Sequence, residues 1–281
     1  MSPVPRPVTD LIEPIYMLEG AGVRLRRSMA TRRLDYLDPF LLFDHFGSDD
    51  PEDYLAGFPM HPHRGIETVT YMLAGRVHHA DSLGNSGDIT AGDVQWMTSG
   101  RGIMHEEMPQ PVRGKMEGFQ LWVNLPARLK MTRPRYQEVL AAHIPVIEQE
   151  NGGHVRIVAG QVGETRGPVT EIAADPSYLD VTIASGGRFE HPIPRGHTAF
   201  AYVFEGQGSF AGSEISATHL VIFGDGDRIQ VTAGAPGVRF LLVSGQPLGE
   251  PIARYGPFVM NTQQEIEQAL RDLHEGTFVQ P

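Results

Sequence analysis

Gly57-Phe-Pro-Met-His61-Pro-His63-Arg-Gly-Ile-Glu67 holds the densest chemistry of the chain. Side chains alternate along an extended strand, so His61 and His63 point to one face, about 7 Å apart along the backbone. Pro62 biases His61 away from helix, which keeps the segment extended. Taken alone, His-x-His reads equally well as two unrelated surface histidines. A second segment changes the balance. Forty-two residues after His63 comes Gly100-Arg-Gly102-Ile-Met-His105-Glu-Glu107, where His105 and Glu107 again share a face. Two such pairs on neighbouring strands supply three imidazoles and one carboxylate to a single ion. That leaves one or two coordination positions open, as a catalytic rather than a structural metal requires. Glycines beside both pairs permit tight turns and close backbone approach.

Working outward, the rest of the chain reads as short strands. Glu67–Leu73, Asp93–Met97, Gly118–Val123, Tyr178–Ile183, Ala199–Phe204, His219–Phe223 and Val238–Val243 are apolar runs rich in β-branched and aromatic residues. Turn residues separate them, with 32 Gly and 22 Pro dispersed along the chain. This is an all-β pattern. The pattern also repeats. Tyr71-Met-Leu-Ala-Gly75 followed by Ala91-Gly-Asp93 is echoed by Tyr202-Val-Phe-Glu-Gly206 followed by Gly224-Asp225. Two copies of one unit imply a duplicated antiparallel β-barrel. The expected domains are 1–135, with the metal site, and 136–281, without metal ligands, joined through a linker from about Met131 to Asn151. Helical spacing appears only near the end, where Ile266, Ala269, Leu270 and Leu273 recur. Thr262 is the expected N-cap, Glu265 occupies the capping-box position and Gly276 is the stop.

The second unit can be tested for a site by counting. His61 lies 14 residues before Gly75, and 14 before Gly206 is Pro192. The counterparts of His63, Glu67 and His105 are Pro194, Thr198 and Gly237. His191 and His197 lie nearby without His-x-His spacing. The second unit is therefore expected to be metal-free.

Composition sets limits on chemistry. The 281 residues include no cysteine, which excludes disulfides, iron–sulfur clusters, thiolate zinc and cysteine nucleophiles. Imidazole and oxygen donors suit Fe, Mn, Ni, Cu or Zn. A closed structural zinc shell is disfavoured for want of thiolates. The formal charge of −11 argues against direct nucleic-acid binding and against anionic membrane. The N-terminal stretch lacks a secretory pattern and no apolar run is long enough to span a bilayer, so a cytoplasmic location is expected. No glycine-rich phosphate loop is present.

The words HPHRGIETVTYML, DSLGNSG, GDVQWMTSGRGIMHEEMP and GFQLWVNLP, with PFLLFDHFG (Pro39 to Gly47) and GPFVMNT (Gly256 to Thr262), resemble the pirin family closely. Gly57, His61, His63, Glu67 and Gly75 look like the first cupin motif, and Gly92, Gly102 and His105 like the second. The departure from the common cupin pattern is that Glu107, rather than the first-motif carboxylate, stands as ligand candidate. The resemblance implies a bicupin of two antiparallel β-barrels with a short C-terminal helix. It implies one metal in the N-terminal barrel, iron(II) foremost, held by His61, His63, His105 and Glu107. It also implies quercetin 2,3-dioxygenase-type activity, the O2-dependent cleavage of a flavonol-like aromatic substrate, with Glu107 able to serve as catalytic base. The alternative it leaves open is a metal- or redox-dependent regulator that binds a protein partner, a transcription factor or a metabolic enzyme.

Other residues carry weaker readings. Glu67 is expected either to hold a ligand imidazole from behind or to stand as a surface carboxylate, and Arg64 to form a structural ion pair. His45 is either pocket lining or core edge. His78 and His79 are expected at the surface, and Trp96 and Trp122 in the core. Phe46, Phe58, Met60, Met97 and Met104 are expected around the metal. Arg24, Arg26, Arg27, Arg32 and Arg33 read as a solvated strand edge with carboxylate partners, or as a docking patch for an acidic partner.

Overall fold

The computed structural model describes residues 3–111, 114–149 and 152–280. The end of the expected linker, Glu150 and Asn151, lies outside the described residues. The apolar runs become strands with little shift: Glu67–Leu73 lies within Ile66–Ala74, Gly118–Val123 within Met116–Asn124, and Val238–Val243 within Arg228–Gly245. The chain is mostly β, with two cupin domains and one C-terminal α-helix.

Its contacts divide it into two compact units that are discontinuous in sequence. One comprises 15–30, 40–141 and 248–281, and the other 1–14, 31–39 and 142–247. The expected cut after residue 135 falls inside the strand Arg135–Val139, which pairs with Val94–Thr98. Much of the expected linker is thus regular structure, continuing into Val146–Glu148 paired with Gly153–Ala159.

The first unit has a seven-stranded antiparallel sheet in the order Arg135–Val139, Val94–Thr98, Ile66–Ala74, Met116–Asn124, Phe40–Ser48, Val23–Met29, Ile15–Glu19. A four-stranded sheet runs Phe58–His63, Ile103–Pro109, Arg76–Asp81, Ser86–Thr90. Val94–Thr98 is buried along its whole length and Ile66–Ala74 over its first seven residues, as expected of strands covered on both faces. The hairpin Ala253–Tyr255 with Phe258–Met260 and the helix Gln263–His274 complete this unit. The helix starts with the expected capping box: Glu265 N–H donates to Thr262 Oγ1, and Thr262 N–H donates to Glu265 at 2.9 Å. It turns Ile266 and Ala269 inward against Phe258 and Phe278.

The second unit is built on a nine-stranded sheet, with Val8–Ile12 at one end of the path and Val146–Glu148 at the other. Thr198–Phe210 continues past Gly206, where the repeat had suggested that a strand ends. The interior is closed by apolar packing, with the Phe210 and Phe240 rings 5.1 Å apart and edge-on. Burying each such ring contributes about 2–3 kcal/mol. Jelly-roll-like antiparallel β-barrels were expected in both units. Within the described residues no ladder joins the two ends of either path, so the hydrogen bonding forms open sheets. No helix among the described residues is long and apolar enough to cross a membrane.

Candidate metal centre

Antiparallel pairing of Phe58–His63 with Ile103–Pro109 places His105 opposite His61 and Ile103 opposite His63. The period-two alternation then brings three imidazoles to one point. One ring nitrogen from each of His61, His63 and His105 lies within 4.8 Å of the other two. His61 Nε2 and His63 Nε2 are 3.0 Å apart, the separation of two donors bound at right angles at about 2.1 Å from one ion. His61 Nδ1 is 2.9 Å from the Pro59 carbonyl, to which it donates, so its Nε2 presents a lone pair to the group.

His63 and His105 are almost wholly buried, at 2% and 1% exposure. Burial, reinforced by the neighbouring His61, holds His63 well below the usual imidazole range. Burial, then His63 and His61, does the same for His105. Both rings are thus neutral, the form that can ligate. Neither ring nitrogen of His105 has a hydrogen-bond partner among the described residues. Buried imidazole nitrogens left unpaired are costly, and a divalent cation would supply the missing partner. The donor set and the unpaired nitrogen fit such an ion.

Glu107 does not join that triplet. The strand register shifts between His105 and Glu107, which comes to lie opposite Phe58. Its carboxylate accepts from the Thr70 hydroxyl at 2.8 Å. Glu107, His61 and His63 nevertheless line one cavity of about 540 Å³. The cavity walls include Val23, Leu25, Leu42, Phe46, Phe58 and Trp122.

Several sequence expectations are corrected here. Glu67 supports no ligand imidazole; it accepts from Trp96 Nε1 at 3.1 Å and Thr98 Oγ1 at 2.7 Å. Its burial raises its pKa. Of the five apolar residues expected at the metal, Phe46 and Phe58 line the cavity. Met60 is 46% exposed, Met97 is core, and Met104 packs beside Phe258 and the helix. Trp96 is core, but Trp122 lines the cavity, standing edge-on to His63 with ring centroids 5.2 Å apart. His79 is buried and 3.0 Å from Glu138, while His78 stays half-exposed beside Asp88. The cause is alternation: adjacent residues of a strand face opposite ways, so one of the pair had to turn inward.

Arg64 forms the expected structural pair, 2.6 Å from Asp272 of the helix. His45 is a core-edge residue 3.1 Å from Glu117, outside the cavity lining. The arginine cluster is largely paired: Arg24 with Asp53, Arg27 with Glu19 and Asp44, Arg33 with Asp10. Residues outside the two histidine motifs also reach the site. Arg254, Gly256 and Pro257 line the cavity, and so does the polar set Thr70, Gln120, Asp44 and Arg27.

Two cupin domains, one of which gathers three histidines from two adjacent strands, define the bicupin class. The chain belongs to the pirin family: the family's "Pirin" profile matches residues 22–123, and its "Pirin C-terminal cupin domain" profile matches 178–279. A pirin-like protein of Caulobacter vibrioides is 45% identical over 274 residues, covering 97% of this chain and 99% of that one. The crystal structure of a quercetin 2,3-dioxygenase from Acinetobacter baumannii has a TM-score of 0.90 at 36% identity, covering 98% of each chain. A bacterial pirin from Escherichia coli, solved in complex with nickel(II), shares the fold at 20% identity, with a TM-score of 0.69 over 85% of this chain and 99% of that one.

Proposed function

We propose that this protein binds one divalent metal, iron(II) in its working form, through His61, His63, His105 and Glu107, and cleaves a flavonol with O2. The observation that carries the reading is the convergence of three imidazoles, two of which, His61 and His63, line a largely apolar cavity of about 540 Å³. That volume suits a small aromatic ligand. The family membership and the 36% identity to a quercetin 2,3-dioxygenase support a flavonol-like substrate.

When bound, the ion supplies Lewis-acid polarisation of the flavonol oxygen and one-electron chemistry toward dioxygen. The protein's own residues do the rest. Leu42, Phe46 and Trp122 exclude water from the ligand's faces. Glu107 lies on the cavity wall within reach of a ligand hydroxyl and takes its proton; Thr70 keeps the carboxylate aimed at that place. His61 is held in one tautomer by Pro59, so its lone pair needs no reorientation on loading.

The test is anaerobic purification, metal analysis and oxygen uptake with quercetin. One iron per chain with quercetin-dependent oxygen uptake, both lost in His105→Ala, is expected. Metal at one per chain without oxygen uptake refutes the catalytic reading. Protein kept reduced that holds no metal refutes the site.

A further inference from the structure

Thr70, Gln120, Asp44 and Arg27 come from four consecutive strands of the seven-stranded sheet. The register aligns them in one row: Gln120 lies opposite Thr70 on one side and Asp44 on the other, and Asp44 lies opposite Arg27. All four line the cavity, as do His61 and His63. The next row holds Leu42 and Trp122, so the row is a polar stripe on an apolar wall. Thr70 marks the end near the histidines, since its hydroxyl is 2.8 Å from Glu107 on the strand that carries His105. Arg27 marks the other end.

An arginine side chain only donates, through five N–H groups, so what it offers a ligand does not depend on where a proton is placed. Three of these groups are used inside the protein. Nε and Nη2 bind the two oxygens of Asp44 at 2.8 and 2.7 Å, and Nη1 reaches Glu19 Oε1 at 2.6 Å. One N–H on each of Nη1 and Nη2 is left without a partner among the described residues. The two carboxylates hold the guanidinium in place, with Asp44 3% exposed and the Arg27 side chain 11%. Polar groups set into an apolar cavity are unfavourable unless something pairs with them, and donors already fixed lose little freedom when a ligand does so. Glu19 lines the cavity beside Arg27. A group that accepts from Arg27 and donates to Glu19 fits this corner, and a phenolic hydroxyl does both.

We propose that Arg27 is a specificity-determining residue, donating to a phenolic hydroxyl at the end of an aromatic ligand remote from the histidines. Its guanidinium is bound to Asp44, two strand spacings from Thr70, about 10 Å, the span between the terminal oxygens of a two-ring phenol. A ligand that meets the histidines at one end therefore reaches Arg27 with the other. This rests on the flavonol reading above and narrows it to flavonols that carry a hydroxyl at the end away from the ion.

The test compares quercetin with 3-hydroxyflavone, which keeps the 3-hydroxyl and the 4-carbonyl and lacks every other hydroxyl. Full-length, metal-loaded protein is titrated with each under anaerobic conditions, so that neither is consumed. Binding is read by quenching of tryptophan fluorescence, since Trp122 lines the cavity. Quercetin is expected to bind the wild type about ten- to a hundredfold more tightly than 3-hydroxyflavone, the factor of a hydrogen bond to a charged group. Arg27→Lys keeps the charge and loses the fork. In this variant quercetin weakens by most of that factor, 3-hydroxyflavone is unchanged, and metal content stays at the wild-type value. Arg27→Met with Asp44→Asn removes the guanidinium without stranding a buried carboxylate; it serves where Arg27→Lys fails to fold and has the same expected outcome. A folded variant that keeps the wild-type ratio overturns the role of Arg27 and leaves the flavonol reading intact. So does wild-type protein that binds the two flavonols equally. Wild-type protein that binds neither overturns both.

Discussion

Lys130 Nζ lies 2.9 Å from the carbonyl oxygen of Gly65, two residues beyond His63. The same ammonium donates to Asn124 Oδ1 and Val259 O, each at 2.8 Å, so its three protons go to three fixed acceptors. Lys130 is 1% exposed. It therefore ties the chain just after a candidate ligand to the strand Phe258–Met260. Gly65 has φ +82°, and a Cβ there would come within 2.0 Å of Val259 O, so the contact tolerates no side chain. Lys130→Met keeps the apolar stem and strands three acceptors. The expected loss is about 3 kcal/mol of stability, measured by urea unfolding at pH 7. An unchanged midpoint would show that the tie is dispensable.

Thr70→Val removes the hydrogen bond that Thr70 donates to Glu107 while keeping the shape of the side chain. Metal affinity is expected to fall about five- to tenfold, read by competition with a chelator, with little change in melting temperature. Equal affinity in the two proteins would separate Glu107 from the metal.

Glu67 gives the opposite expectation. Glu67→Gln keeps an acceptor for Trp96 or Thr98, and metal content should be unchanged, because the residue touches no candidate ligand. Glu67→Ala leaves buried donors on both Trp96 and Thr98 and should destabilise by about 2–3 kcal/mol. A drop in bound metal in folded Glu67→Gln would restore the role the sequence had suggested.

The contrast between these two residues shows what was legible in the sequence. His61, His63 and His105 could be read because i/i+2 spacing on a strand fixes the face of a side chain without knowledge of its neighbours. The strands themselves were legible from β-branched runs, and the helix from Thr262 and Glu265. What Glu67 touches depends on its partner strand: Thr98 lies directly opposite it, a pairing that spacing alone does not specify. The row from Thr70 to Arg27 likewise exists only once four strands are in register. The alternation Thr68, Thr70 inside an otherwise apolar run was the one available hint of a polar lining. Trp122 escaped for the same reason, since which face of Met116–Asn124 looks into a cavity is set by the opposing sheet.

His191 supplies an acid limb to stability. It is buried, its ring stacks near Phe189, and desolvation lowers its pKa from 6.5 to about 4. Between those values the unfolded chain takes up a proton that the folded chain refuses. Stability is therefore full above pH 6.5 and falls as the pH drops toward 4, by about 2 kcal/mol at pH 5. His191→Leu should remove that part of the loss between pH 7 and 5. An identical pH dependence in the variant would contradict the assignment.

The exchange of segments between the two units bears on how the chain can be divided and on the order in which it matures. The cavity wall at Arg254, Gly256 and Pro257 is synthesised more than a hundred residues after Asn124, and every strand of the other unit's sheet except Val8–Ile12 is made in between. On the ribosome, the histidines emerge early and wait in an unfinished pocket until the segment from 248 onward returns to close it. A gene fragment ending near residue 141 would encode all four proposed ligands and still lack the far wall of their cavity. The two units are thus not modules that can be shuffled at a junction: each completes itself only with chain from beyond the other.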